Sequence, residues 1–381
     1  MKAELDPFHA IAIGRLAHCL QSEGQTVIHM EFGQPSTGAP SSAIARAHEV
    51  LDTDGMGYWD STPLKARLAR HYWETYGVEV DPPRFVLTCG ASPALVLALS
   101  SLLSPGDRVA FARPGYVAYR NTVKALHMVP VEIACGPQTR YQLTAAQIAA
   151  LEPAPAAVII ASPANPTGTI LSRDELTAIA DVCRTRGIRI ISDEIYHGLT
   201  YSGPTHSILE VEPEALVISS FSKYFSMAGW RLGWLLAPVE HVKRAYTFAG
   251  NLFLTAPSLS QHAALAALDS REELDAYLAV YTENRRLLLE ALPTLRLSAI
   301  APPDGAFYLY VNVAHLTNDS MALCEALLRE TGVAIAPGID FDPVGGHQFI
   351  RISFAVSTAE IGEAIERMRT WFAARDAGRL A

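Results

Sequence analysis

From Arg84 onward the chain alternates short apolar runs with longer segments whose apolar residues recur every three or four positions. The short runs RFVLT, DRVAFA, AAVIIAS, GIRIISDE, ALVISS and RLGWLLA have the length and β-branched content of strands. Between them SPALVLALSSLL, GYVAYRNTVKAL and RDELTAIADVCRTRG suit helices. This alternation predicts an α/β fold whose mostly parallel sheet is covered by helices on both faces. After a helical stretch near residues 271–292 the pattern changes to a smaller α+β unit, with strands AFYLYVNV, VAIAP and FIRISF and a last helix from Ala359. The expected division is an N-terminal arm over 1–40 that packs with the small unit, a large domain over 41–285 and a small domain over 286–381. In the arm, Asp6-Pro7 reads as the cap and first residue of a helix that stops at Gly24.

In open α/β sheets ligands gather where strand ends meet loops, so the residues after each strand carry the information. VLT leads into CGASPAL, VIIAS into PANPTG, RIIS into DEIYHG, and VISS into FSKYF. Each tip is more polar than a plain connection requires. Gly90, Ala91 and Ser92 open a helix, where free N–H groups and the dipole favour an anion, although ordinary capping explains the same residues. Asp193 ends a buried strand and needs a cation or several donors, and Tyr196 offers its phenol to the same cavity. Asn165 projects an amide from a turn, and its bond to Pro166 is a plausible cis site.

Two cations stand almost alone in SSFSKYFSMAGWRLGW, residues 219–234. Lys223, flanked by Phe221, Tyr224 and Phe225, is a candidate nucleophile, because desolvation lowers a lysine pKa and frees the amine. Arg231 is a permanent charge for the anion that the Gly90 turn attracts. In FIRISFAV, Ile350, Ile352 and Phe354 face one way and Arg351 the other, where its guanidinium could clasp a carboxylate or simply meet solvent.

Composition narrows the field. Half of the 381 residues are hydrophobic and 18% are charged, as for a large folded core. A net charge of −9 without a basic run argues against nucleic acid. No apolar stretch is long enough for a membrane span and no secretory signal is evident, while five widely spaced cysteines point to free thiols in the cytoplasm.

Taken in order, FGQPSTGAP, TCGASPAL, RPGYVAY, SPANPTG, SDEIY, SFSKYFSMAGWRLG, PDGAFYLYVN and RISFA resemble the class I/II, aspartate aminotransferase-like enzymes of fold type I. The resemblance implies pyridoxal 5′-phosphate (PLP) held by Lys223 as a Schiff base, amino transfer between an α-amino acid and a 2-oxo acid by way of pyridoxamine phosphate, and a homodimer with shared sites. It places Arg231, Ser220 and the Gly90–Ser92 turn at the phosphate, Asp193 at the ring nitrogen, and Tyr196 and Asn165 at the ring oxygen. Tyr116 would stack on the ring, Arg351, Asn165 and Gly33 would meet the substrate, and Tyr58 would reach the partner's phosphate. A C–S lyase or decarboxylase on the same fold is the alternative.

The sequence departs from the family pattern in places. The glycine expected after Tyr58 is missing, Ala164 stands where asparagine is common, and Asp342 where glycine is common near the substrate entrance. Ser92 replaces a lysine that reads the side-chain carboxylate in some prokaryotic aspartate aminotransferases. This disfavours a strict dicarboxylate enzyme and leaves neutral, aromatic or unusual amino acids open.

Overall fold

The computed structural model describes residues 4–297 and 300–379. Eleven strands are found among them: β1 (Ile28–Met30), β2 (Phe85–Thr88), β3 (Arg108–Arg113), β4 (Val129–Ala134), β5 (Ala157–Ala161), β6 (Arg189–Asp193), β7 (Leu216–Ser220), β8 (Gly233–Leu236), β9 (Tyr308–Asn312), β10 (Val333–Pro337) and β11 (Phe349–Ser353). Seven form one sheet in the order β2-β8-β7-β6-β5-β3-β4, and four form a second, β1-β10-β11-β9. In the larger sheet only β8 runs against its neighbours. All the predicted strands are present. The sequence reading missed β4, whose Pro130 and Glu132 fit the sheet edge it occupies, and the three-residue β1.

Side chains of the larger sheet alternate between two cores, as the pleat requires. Ile159, Ile191 and Ile218 pack with the helices Ala91–Leu102 and Val239–Leu252. Val158, Ile190 and Val217 pack with Thr62–Tyr76 and Arg173–Arg186. Burying such a side chain contributes about 1.5–3 kcal/mol, which is why both faces need helical cover. The small sheet shares a third core with the helices His9–Ser22 and Ser320–Thr331. The helix Arg271–Ala291 runs unbroken through residue 285, with Leu274 in the large core and Tyr281 and Leu288 in the small one.

The first helix starts at His9, not at Pro7. Asp6 is drawn away from capping by Lys124 (2.9 Å) and Arg120 (3.3 Å). Asp340, far along the chain, instead accepts from the N–H groups of His9 (2.6 Å) and Ala10 (2.7 Å). Among the described residues no helix is long and apolar enough to cross a membrane.

Candidate active site

Because β2, β3, β5, β6 and β7 point the same way, their carboxyl ends lie along one edge of the sheet, and antiparallel β8 brings its amino end, preceded by Arg231, to that edge too. A cavity of about 440 Å³ opens there, closed from the other side by Gly33, Tyr308 and Arg351 of the segments around the small sheet.

Lys223 follows the end of β7, and its Nζ donates to the Gly33 carbonyl. Burial first, then the charges of Arg351 and Arg231, lower its pKa to about 8 against the opposing pull of Asp193. A useful fraction of the amine is therefore uncharged near neutrality.

Asp193, the last residue of β6, is buried, and burial raises its pKa. The Tyr119 hydroxyl donates to Oδ2 (2.6 Å) and the Ile195 N–H to Oδ1 (3.1 Å), both favouring the carboxylate. Tyr119 was missed in the sequence, where it reads as one more aromatic on the buried face of its helix. Tyr119→Phe removes the hydroxyl bond, so the Asp193 pKa rises further and the carboxylate is lost at higher pH as the solution is acidified. We expect the acid limb of the pH–kcat/KM profile to move upward and activity at neutral pH to fall about tenfold.

Arg351, on β11, is 3% exposed. Its Nη1 donates to Asn165 Oδ1 (2.9 Å) and its Nη2 to the Glu31 carbonyl. The guanidinium lies 4.4 Å from the centre of the Tyr308 ring and 4.7 Å from that of Phe341. Among the described residues no carboxylate pairs with it, and its buried Nε has no hydrogen-bond partner. A buried cation so placed is costly unless an anion arrives.

Tyr196 and Tyr308 share a 2.7 Å hydroxyl contact beside Lys223. Tyr308, also missed in the sequence, explains Gly33: a Cβ at that position would fall 1.6 Å from the Tyr308 hydroxyl oxygen. Gly33→Ala therefore has to displace a fully buried ring, at a cost of about 1–3 kcal/mol. Thermal unfolding reads that loss, and the double variant with Tyr308→Phe recovers part of it.

At the other end, Gly90 (φ 104°) caps the helix Ala91–Leu102, where a Cβ would meet Arg231 Nη2 at 2.5 Å. Arg231 itself donates to the carbonyls of Ala228 (2.8 Å) and Cys89 (3.1 Å), with no ion pair among the described residues. Ala91, Ser92, Tyr116 and Asn165 line the cavity, and the Asn165-Pro166 bond is cis. One expected position differs. Of the hydroxyls before Lys223, Ser222 lines this cavity, whereas Ser220 lines a second one behind it and accepts from the Ser222 N–H (3.1 Å). That separation follows from the turn that leaves β7 at Ser220. Tyr58 lies outside the cavity of its own chain and is 83% exposed.

Comparison with known proteins accounts for this arrangement. Residues 25–368 match the family described as aminotransferase class I and II. The chain is 43% identical over 378 residues to a valine–pyruvate aminotransferase of Mycobacterium tuberculosis, covering 97% of each. It is 32% identical to an aspartate aminotransferase of Geobacillus stearothermophilus, covering 98% of each. Among solved structures, an aminotransferase from Mycobacterium tuberculosis superposes with a TM-score of 0.95 at 42% identity, over 98% of both chains. The Thermus thermophilus aspartate aminotransferase with maleate gives 0.90 at 29% identity, over 96% of this chain and 97% of that one. The chain belongs to the class I and II aminotransferases, enzymes of fold type I that transfer amino groups with pyridoxal 5′-phosphate.

Proposed function

We propose that Lys223 is the residue through which this chain moves an amino group between an α-amino acid and a 2-oxo acid. The observation that carries the reading is the half-buried Lys223 amine, lowered to about pH 8 and sharing one cavity with two arginines that have no acidic partner among the described residues. Residues of the cavity fit PLP chemically. A buried carboxylate, Asp193, faces a cavity wide enough for an aromatic ring, and Arg231, which has no ion pair among the described residues, stands beside a helix N-terminus suited to phosphate. Bound PLP supplies a carbonyl that takes up nitrogen and a cationic ring that draws electrons from the substrate Cα.

In this reading Arg231, Ser222, Ser92 and the N–H groups after Gly90 hold the phosphate, with Ser220 bracing Ser222 from behind. Asp193, kept ionised by Tyr119, holds the proton of the ring nitrogen. Tyr116 lies against the ring, and Tyr196 and Asn165 donate to its oxygen. Arg351 clasps the substrate α-carboxylate, and with Asn165 and the Gly33 backbone it fixes which Cα bond stands across the ring. Lys223 would hold PLP covalently; with its Nζ free and uncharged, it would be the base that accepts the proton from the substrate Cα and carries it as an ammonium until it is returned to the carbon across the transferred nitrogen.

The loading of apo protein with PLP accelerates as pH rises through about 8 and then levels, since the free amine is the reactive form. The function itself is tested by giving the loaded protein an amino acid with no acceptor. One equivalent of 2-oxo acid per subunit then forms and the reaction stops. Continued release of product without an acceptor marks a lyase or decarboxylase instead.

The same reading divides the chain into an arm (1–40), a large PLP-binding domain (41–285) and a small domain (286–381). It makes the protein a homodimer in which exposed Tyr58 reaches the partner's phosphate. Five free cysteines support a cytoplasmic setting. Sedimentation of the purified protein tests the dimer.

A further inference from the structure

We propose that the site selects neutral amino acids with apolar side chains over dicarboxylic ones, and that the N-terminal segment builds the wall that does so. This rests on the reading of Arg351 as the α-carboxylate anchor. The cavity contains three cations, Lys223, Arg231 and Arg351, each with a place in that reading. A second substrate carboxylate would need a fourth.

Among the described residues the surface beside Arg351 does not offer one. The lining there includes Phe8, Phe32, Tyr116 and Tyr308, with Gln34 as an uncharged amide among them. Phe8 meets Tyr116 edge-on with ring centres 6.5 Å apart. Phe32 is fixed against the first helix, where a Cβ on Gly14 would come within 2.5 Å of its ring. The cations around this wall are already paired: Arg113 with Asp342 (3.2 Å), Arg120 with Glu132 (3.0 Å) and Asp6, and Lys124 with Asp6 (2.9 Å). Phe341, which lies under the Arg351 guanidinium, is flanked by Asp340 and Asp342, and both are already engaged, Asp340 by the N–H groups of His9 and Ala10 and Asp342 by Arg113, so neither adds a cation for a second carboxylate. An apolar side chain gains by displacing water from the aromatic wall, while a carboxylate there loses its hydration without a partner.

The experiment compares kcat/KM of the PLP-loaded protein for valine, leucine and phenylalanine with that for aspartate and glutamate. In parallel, calorimetry measures the binding of isovalerate and succinate. The expected preference for the apolar donors is about 100-fold, and isovalerate binds more tightly than succinate. Phe8→Arg, which brings a cation to the wall from a half-buried position, narrows the gap about tenfold. Aspartate or glutamate equal to or better than the apolar donors, or succinate binding as tightly as isovalerate, overturns the inference and leaves amino transfer intact. If no donor gives up its nitrogen while isovalerate still binds ahead of succinate, amino transfer falls and the apolar pocket stands.

Discussion

Replacing Lys223 by alanine lowers amino transfer by at least about 10,000-fold, because nucleophile and proton carrier are lost together. The PLP-loaded wild type reduced with borohydride carries the label on Lys223 and not on Lys2, Lys65, Lys124 or Lys243; the variant carries none. Lys223→Arg does not restore activity, since a guanidinium keeps its proton throughout the accessible range. The fold survives. Burial lowers the amine from 10.5 to about 8, so the native state bears a penalty for the charged form. That penalty is complete below about pH 8 and disappears above 10.5. Apo Lys223→Ala is therefore at least as resistant to unfolding as apo wild type at neutral pH, and the difference closes as pH rises across that window. A variant that unfolds at neutral pH contradicts this explanation of the lost activity.

Replacing Arg351 by alanine lowers kcat/KM about 1,000-fold for every amino acid, the effect of losing two charge-assisted hydrogen bonds to the α-carboxylate. Arg351→Lys recovers only part, because a point charge cannot match the forked geometry. Removing the charge also raises the Lys223 pKa, as Arg351 is the second-ranked cause of its depression after burial. The pH at which PLP loading accelerates accordingly moves upward in Arg351→Ala. The uniform loss of kcat/KM separates a carboxylate anchor from a merely structural arginine, while the shift in PLP loading follows from the position of the charge alone.

How much of this was legible in the sequence depended on whether a residue broke its local pattern. Asp193, Lys223 and Arg231 did: each is charged beside an apolar run, Asp193 and Lys223 after parallel strands and Arg231 before antiparallel β8, and the sheet brings those ends together. Arg351 showed through strand alternation, which put it opposite Ile350 and Ile352. Tyr119 and Tyr308 did not stand out, since a tyrosine among apolar residues looks like core until its hydroxyl is seen against Asp193 or Tyr196. Ser220 and Ser222 differ by two residues and carry the same chemistry, so only the turn after β7 decides which one faces the cavity. The start of the first helix was misplaced because its cap, Asp340, lies more than three hundred residues away in the chain. Local signals favoured Asp6-Pro7, and the ion pairs of Asp6 with Arg120 and Lys124 overrode them.

The most direct measurement follows the nitrogen. The PLP-loaded protein is mixed with an amino acid labelled with nitrogen-15 and an unlabelled 2-oxo acid of a different carbon skeleton, and the products are read by mass spectrometry. Transfer through Lys223 predicts the label in the amino acid derived from the oxo acid, in amounts equal to the oxo acid formed from the donor, and none of it with Lys223→Ala. Label appearing as free ammonium, or carbon dioxide released from the donor, would contradict it.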